Sequence, residues 1–211
     1  MAVSELRIGS LCSGAGGLDG AVEQVFGGRT VWHCENDPAA AKVLAHRWPS
    51  TPNLGDITAI DWGTVEPVDV VCGGWPCQPF SVAGKRKGAD DERALWPYFA
   101  GAVRGLRPRY VVLENVAAVL RNPEFDRVAN SLAEAGYEFA WTCLRAADVG
   151  APHLRERLFV VAYTAGGGWS PVQSWPDEQR RASIDAAGNG ARNGAAVEEL
   201  LPTPTSRDGS S

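Results

Sequence analysis

A chain of 211 residues, 45% of them hydrophobic, is long enough for one α/β domain of ordinary size, with little room for a second. The net charge of −5 argues against a uniformly basic protein that coats nucleic acid, although it leaves a local basic channel open. The 5 cysteines include no CxxC pair, no apolar run is long enough to span a bilayer, and no secretory signal pattern is present. We therefore expect a soluble, cytoplasmic protein with no metal and no membrane partner.

The first predicted elements are a strand, a glycine-rich turn and a helix. Leu6–Leu11 is apolar enough for a short strand, the turn begins at Cys12, and a helix follows from about Leu18 to Phe26. This order is typical of the opening of a nucleotide-binding βαβ unit, in which the helix N-terminus offers free N–H groups to a polar ligand. A plain tight turn is the alternative interpretation.

The second strand, predicted over residues 30–34, ends next to an acidic group. Asp37 followed by Pro38 indicates a helix start, and that helix runs to about Arg47. Glu35 lies where a nucleotide-type cofactor has its ribose hydroxyls held, although it could also serve as a partner of the helix dipole. A third short edge segment is expected over residues 53–57, with Asp56 near its end.

The next strand leads to the most informative loop of the sequence. Residues 68–72 are apolar and rich in valine, as in a buried central strand, and we expect Gly73 and Gly74 to break it. Pro76 and Pro79 flank Cys77, which predicts a stiff loop that presents one thiol at the carboxyl end of the sheet. The alternative is that Cys77 is a small packing residue.

The remaining elements alternate helix and strand up to residue 164. A helix is predicted over residues 91–106 and a strand over residues 110–113, which leads into Glu114. Asn122 and Pro123 then indicate another helix start, with Gly136 after its end. Two strands follow, over residues 139–144 and 158–163. Residues 165–211 show no periodicity, and we expect a flexible linker or tail there.

Four motifs in this order resemble the cytosine-5 DNA methyltransferase family. They are residues 12–19 (CSGAGGLD), residues 76–78 (PCQ), residues 114–116 (ENV), and the late group formed by His153, Arg155 and Arg157. Each motif is weak to moderate by itself, but the four together in the right order and spacing are highly specific. The resemblance covers roughly the first three quarters of the chain.

The resemblance implies a Rossmann-like, S-adenosylmethionine-dependent methyltransferase fold: a mostly parallel sheet with helices on both faces, over residues 1–164. It implies that Glu35 and the glycine turn meet the methionine and ribose parts of the cofactor, that Asp56 meets its adenine amino group, and that Leu95 lines the pocket. The full set of cofactor residues implied is Cys12, Ser13, Gly14, Gly16, Gly17, Leu18, Glu35, Asn36, Asp56, Ile57, Gly74, Pro76 and Leu95.

The resemblance also implies a mechanism. Cys77 would add as thiolate to C6 of cytosine, and Glu114 would contact N3 and the 4-amino group with a pKa raised by burial. Arg157 would hold O2, and Arg155 would help to fix the cysteine loop. Because the base must leave a duplex, double-stranded DNA is the expected partner, and the basic run at residues 85–87 would contact its phosphates.

The sequence departs from the family pattern in four places. Cys12 replaces a phenylalanine that flanks the adenine, Ser10 replaces an aspartate, and His153 replaces a glutamine. A target-recognition region and two closing motifs are not apparent in residues 165–211. This leaves two alternatives: a cofactor-binding fragment that needs a complementing chain, and an enzyme that acts on RNA. A simple dehydrogenase fits worse, because it gives Cys77 and Glu114 no role.

Overall fold

The structure, a computed structural model, describes residues 5–76 and 95–164. These form six strands and four helices. The strands are β1 (Leu6–Leu11), β2 (Gly28–Cys34), β3 (Val70–Gly74), β4 (Tyr110–Val116), β5 (Tyr137–Arg145) and β6 (Glu156–Thr164). The helices are α1 (Gly17–Phe26), α2 (Pro38–Arg47), α3 (Trp96–Leu106) and α4 (Pro123–Glu134).

The six strands form one sheet in the order β2-β1-β3-β4-β6-β5. Strands β1 to β4 are parallel neighbours, and β6 runs antiparallel to both β4 and β5. The chain leaves β1 towards β2 on one side and returns to β3 on the other side. In open α/β sheets, the crevice at such a reversal, outside the carboxyl ends of the strands, is where ligands bind.

Helices cover both faces of this sheet. On one face, α1 packs on a cluster that includes Ile8, Val22 and Val70. On the other face, α3 and α4 contribute Phe99 and Val128 to the larger cluster. The prediction of a mostly parallel sheet with helices on both faces is therefore confirmed.

The helix boundaries follow the predicted capping residues closely. The Asp37 side chain accepts hydrogen bonds from the first amides of α2, and the Asn122 side chain accepts from Glu124 N at the start of α4. Such side-chain acceptors satisfy amides that have no partner inside the helix. Gly136, after α4, has φ 83°, a left-handed conformation that glycine adopts at low cost.

The glycine pair after Cys72 does not break the strand, contrary to the prediction. Gly73 and Gly74 are the last two residues of β3 and pair with Leu113 and Glu114 of β4. A Cβ on Gly73 would lie 2.4 Å from the carbonyl oxygen of Leu11. The two glycines are therefore explained by close neighbours within the sheet, and not by an early turn.

The prediction of a short strand over residues 53–57 is also wrong. Asn53 makes a single bridge with His33, and Ile57 begins a 3₁₀ turn that ends at Ala59. The Asp56 side chain caps this turn by accepting from Thr58 N at 2.9 Å. An acidic residue that bonds its own backbone two residues on favours a turn over an extended strand.

Two other predictions lie outside the described residues: the conformation of Cys77 with its basic run, and the flexible segment over residues 165–211. Among residues 5–76 and 95–164, no helix is long and apolar enough to cross a membrane.

Candidate active site

The candidate active site lies at the carboxyl edge of the sheet, where four parallel strands end side by side. β1 leads into Cys12, β2 into Glu35, β3 into Trp75, and β4 ends with Glu114 and the two residues that follow it. Parallel neighbours with this register bring their following loops together at one edge. The structure thus assembles residues that are far apart in the sequence.

The glycine turn after β1 has an unusual backbone. Cys12, Gly14 and Gly16 have φ values of 49°, 55° and 75°. The Ser13 hydroxyl points inward and donates to Ser10 Oγ at 2.7 Å. Because this bond holds the Ser13 side chain against β1, we expect any contact of Ser13 with a cofactor to use its backbone.

The Glu35 carboxylate joins the second strand to this turn. Its Oε2 accepts from Gly14 N at 2.7 Å, and its Oε1 accepts from Asp37 N at 2.7 Å. The Asn53 side chain holds the backbone of Glu35 by accepting from its N–H and donating to its carbonyl oxygen. The carboxylate predicted to hold a ribose therefore sits in a fixed position beside the glycine turn.

The acidic residues of this edge act on the Cys12 thiol. Burial, with smaller contributions from the negative charges of Glu35 and Asp56, raises the pKa of the Cys12 thiol to about 12. The Cys34 thiol has a pKa of about 12 from the same kinds of cause, and it donates to Gly55 O at 3.2 Å. The charges of Glu35 and Asp56 thus both act on Cys12, and the cofactor contacts of these three residues stay a prediction.

The last described residues before Cys77 are held by the neighbouring strand β4. Asn115 is 4% exposed, and its Nδ2 donates to the carbonyl oxygen of Trp75 at 2.8 Å. Trp75 is buried and lies two residues before Cys77 in the sequence. Cys77 itself lies outside the described residues, so its predicted role stays a prediction.

Two of the predicted site residues, Glu114 and Arg157, form an ion pair at this edge, a contact that was not predicted from the sequence. Arg157 Nε lies 2.8 Å from Glu114 Oε1, with 24% and 28% of the two side chains exposed. The Glu114 carboxylate also lies beside Gly74, where a Cβ would come within 3.0 Å of Oε2. Glu114 is therefore only partly buried, and its charge partner in the described chain is Arg157 from the late arginine motif.

For three other predicted site residues, the structure shows only their exposure, backbone bonds or packing. Arg155 is exposed, and both of its hydrogen bonds within the described chain use its backbone. Leu18 packs on the α1 face of the sheet, and Leu95 packs against the larger cluster on the opposite face.

Burial raises the pKa of the thiol in all four cysteines of the described part of the chain. These are Cys12, Cys34, Cys72 and Cys143. The thiolate is the nucleophilic form, so a raised pKa makes a cysteine a poor nucleophile near neutral pH. None of these four side chains has the chemistry that the predicted covalent step requires.

Sequence reasoning missed the residues that hold the site together. Asn115 lies inside the ENV motif, but its contact with Trp75 joins two strands and leaves no local pattern. Arg47 donates to the carbonyl oxygens of Ala15 and Gly16 at 2.7 and 3.2 Å across 32 and 31 positions of the chain. No spacing rule connects such distant positions, so only the folded chain shows them.

The fold and the site define an α/β domain with a nucleotide-type crevice and an acid–arginine pair beside it. The C-5 cytosine-specific DNA methylase model matches residues 6–204. The chain is 32% identical over 221 residues to the type II methyltransferase M.AquIA of Picosynechococcus, covering 94% of this chain and 89% of that protein. The chain therefore belongs to the C-5 cytosine-specific DNA methylase family.

Two further similarities describe the extent of the match. The type II methyltransferase M.HhaI of Haemophilus parahaemolyticus is 35% identical, over 75% of this chain and 49% of that protein. The chain thus spans about half the length of this relative. The Dnmt2 methyltransferase of S. pombe has the same fold, with a TM-score of 0.68 and 19% identity, over 90% of this chain and 58% of that one. The family match runs past Thr164 into residues 165–204.

No group of three or more potential metal ligands occurs within residues 5–76 and 95–164.

Proposed function

We propose that the chain is the catalytic region of a DNA (cytosine-5-)-methyltransferase that transfers a methyl group from S-adenosylmethionine to C5 of a flipped-out cytosine. The observation that carries this proposal is the placement of Glu114. Its carboxylate meets Arg157 at 2.8 Å, and the next residue, Asn115, holds Trp75 just ahead of Cys77. Two of the groups proposed to act on the pyrimidine, Glu114 and Arg157, thus lie together at the carboxyl end of β4.

The residues at the neighbouring crevice fit S-adenosylmethionine. The turn at residues 12–17 brings backbone amides close to the crevice, and Glu35 and Asp56 offer carboxylate oxygens to hydroxyl and amino groups. Asp56 caps its turn through Oδ1 alone, so within the described chain Oδ2 has no partner and suits an amino group. S-adenosylmethionine, when bound, supplies the methyl group as an electrophilic sulfonium.

The remaining chemistry belongs to the protein and the base. C5 of cytosine is too weak a nucleophile until a group adds at C6, and Cys77 would add there as thiolate. Glu114 would contact N3 and the 4-amino group, while Arg157 would hold O2 and keep the carboxylate aligned. After methyl transfer, loss of the C5 proton and elimination of Cys77 restore the enzyme.

The four other cysteines support Cys77 as the nucleophile. Each has a raised thiol pKa, and Cys72 is fully buried. A covalent step through any of them would begin with an unfavourable deprotonation. Arg155 would act near the cysteine loop, where its exposed side chain is available to DNA phosphate or to that loop.

Double-stranded DNA is the proposed substrate, and a restriction-modification system is the proposed context because the curated relatives are named type II methyltransferases. The target C6 is hidden in a stacked duplex, so the base must be flipped out of it. We propose a cytoplasmic location for the same context. A complementing chain that carries the recognition region stays a second possibility, since the chain spans 89% of M.AquIA but 49% of M.HhaI.

The test is transfer of a tritiated methyl group from S-adenosylmethionine to unmethylated duplex DNA of mixed sequence. Cys77→Ser should abolish transfer while cofactor binding persists, because only the C6 nucleophile is lost. Cys143→Ser is the matched control, a thiol on β5 that should be dispensable.

The same assay separates the alternatives. Parallel reactions contain RNA in place of DNA, or DNA with a candidate partner chain added. Transfer at the wild-type rate by Cys77→Ser would contradict the mechanism. Transfer to RNA alone would replace the substrate, and cofactor binding without transfer in any reaction would favour a binding fragment.

A further inference from the structure

The guanidinium of Arg47 is bound to the cofactor turn from outside the crevice. Arg47 is the last residue of α2, and its Nη1 donates to Ala15 O at 2.7 Å and to Gly16 O at 3.2 Å. Its Nη2 would lie 3.4 Å from a Cβ at Gly20, so the side chain runs along the first turn of α1. A single side chain thus joins the end of one helix to the turn that precedes another.

Trp48, the next residue, completes this contact. Its ring lies under the Arg47 guanidinium, with Cζ 4.4 Å from the ring centroid. The same ring packs on Gly16, where a Cβ would come within 2.4 Å of it. Its Nε1 donates to Glu23 Oε1 at 3.0 Å, which fixes the ring against α1. The guanidinium is therefore stacked on a ring that is itself held in place.

The bonds to Arg47 set the direction of the peptide groups in the turn. In a trans peptide, the C=O and the following N–H point in opposite directions. Holding the carbonyls of Ala15 and Gly16 towards Arg47 turns the N–H groups of Gly16 and Gly17 away from it. Gly16 N donates to Ser13 O at 2.9 Å, and Gly17 is the first residue of α1, where an amide has no partner inside the helix.

We propose that Arg47 is a positioning residue for S-adenosylmethionine: it fixes the residue 12–17 turn in the binding conformation before the cofactor arrives. The turn contains positive φ values at Cys12, Gly14 and Gly16, and glycine-rich backbone loses much conformational freedom when it is ordered. A turn that is ordered beforehand removes that cost from binding. This inference rests on the proposed cofactor function.

Arginine suits this position better than lysine. A guanidinium has several donors in a rigid fork, so it can reach two carbonyl oxygens while it stacks on an indole. An ammonium is a compact charge and stacks less well. Arg47→Lys is therefore expected to keep part of the function, whereas Arg47→Met keeps the length of the side chain and removes every donor.

The experiment is calorimetric titration of the full chain with S-adenosylmethionine, with steady-state kinetics alongside. We expect Arg47→Met to raise the Kd about tenfold and Arg47→Lys to raise it about threefold, as fits the loss of charge-assisted hydrogen bonds. The KM for the cofactor should rise in parallel while kcat changes by less than about twofold, because Arg47 touches no reacting atom. Lys42→Met, which removes another exposed positive charge from α2, is the matched control and should leave the Kd unchanged.

Amide hydrogen exchange of the segment 12–17 gives a second readout. It should be faster in unliganded Arg47→Met than in the wild type, while exchange in the central strands stays the same. An unchanged Kd in Arg47→Met, or an equal rise in Lys42→Met, would overturn the inference alone. Failure of the wild type to bind S-adenosylmethionine would overturn the proposed function as well, so the two failures are distinguishable.

Discussion

At the scale of single residues, the chemistry rests on groups whose surroundings differ sharply. The Glu114 carboxylate is partly exposed and paired with Arg157, whereas Cys34 and Cys72 are buried and all four described thiols have raised pKa values. A partly exposed acid beside a cation can meet a substrate, and a shielded thiol cannot readily ionise.

The first residue-scale prediction concerns Glu114. Glu114→Gln should lower kcat for methyl transfer by about a hundredfold or more, because the amide keeps the shape but removes the charge and the proton-carrying oxygen. Glu134→Gln, an exposed glutamate at the end of α4, is the control and should have no effect. Single-turnover transfer at saturating cofactor measures the change. A rate equal to the wild type would remove Glu114 from the mechanism.

The second residue-scale prediction concerns thiol reactivity. Because burial raises the pKa of Cys12 and Cys34 to about 12, almost none of either thiol is ionised at mildly alkaline pH. Iodoacetamide should therefore alkylate Cys77 first in the native protein, and Cys77→Ser should remove the fast phase. Peptide mass spectrometry over time identifies the modified site. Equally fast labelling of Cys12 would show that its surroundings do not suppress ionisation.

At the scale of elements, the start of α4 shows the helix dipole and burial acting in opposite directions on the pKa of one carboxyl. Glu124 lies in the first turn of α4, where the helix dipole favours a negative charge, and Arg127 Nη1 is 3.5 Å from its Oε2. Burial nevertheless raises the pKa of the Glu124 carboxyl, because the cost of removing it from water exceeds the effect of Arg127. Folding of the protein is therefore more favourable when the Glu124 carboxyl is protonated than when it is ionised.

The element-scale prediction follows from the sign of this shift. With a raised pKa, the folded state keeps its proton to a higher pH than the unfolded state, so the free energy of unfolding falls as pH rises through that interval. Glu124→Gln removes this loss. We expect the variant to gain stability relative to the wild type between about pH 4 and about pH 7. Urea unfolding at both pH values measures the gain, and Glu134→Gln should show none.

At the scale of the whole molecule, the net charge bears on the proposed contact with DNA. The net charge of −5 opposes contact with DNA, so binding must depend on a few local cations. The positive groups predicted to meet phosphate are the run at residues 85–87. Each neutralised phosphate releases counterions, which makes the affinity fall steeply with salt.

The whole-molecule prediction is therefore a salt dependence. The affinity for duplex DNA should fall by about tenfold or more between 50 and 200 mM salt, and replacing Lys85, Arg86 and Lys87 with glutamine should reduce that slope. The matched control replaces three exposed cations elsewhere with glutamine: Arg29, Lys42 and Arg104. Fluorescence anisotropy gives the slope. An identical slope in both triple variants would show that the basic run does not contact phosphate.

Much of this protein could be predicted from its sequence, because the relevant signals are local. Hydrophobic runs, the caps at Asp37 and Asn122, and the glycine turn each depend on neighbours within a few residues. The motif residues Glu114 and Arg157 were also identified in advance, although their ion pair was not predicted. The extent of β3 was not predicted, since the need for Gly73 and Gly74 comes from Leu11 and Glu114 on neighbouring strands.

The sequence by itself determined the family and the order of the main helices and strands, and it proposed the site residues, because these follow from residue types and short spacings. The tertiary structure decided which side chains hold that site in place. Asn115 reaches Trp75, and Arg47 reaches Ala15 and Gly16, over contacts that span 31 to 40 positions of the chain. Such contacts form only when strands and helices pack, and the order of residues along the chain carries no local sign of them.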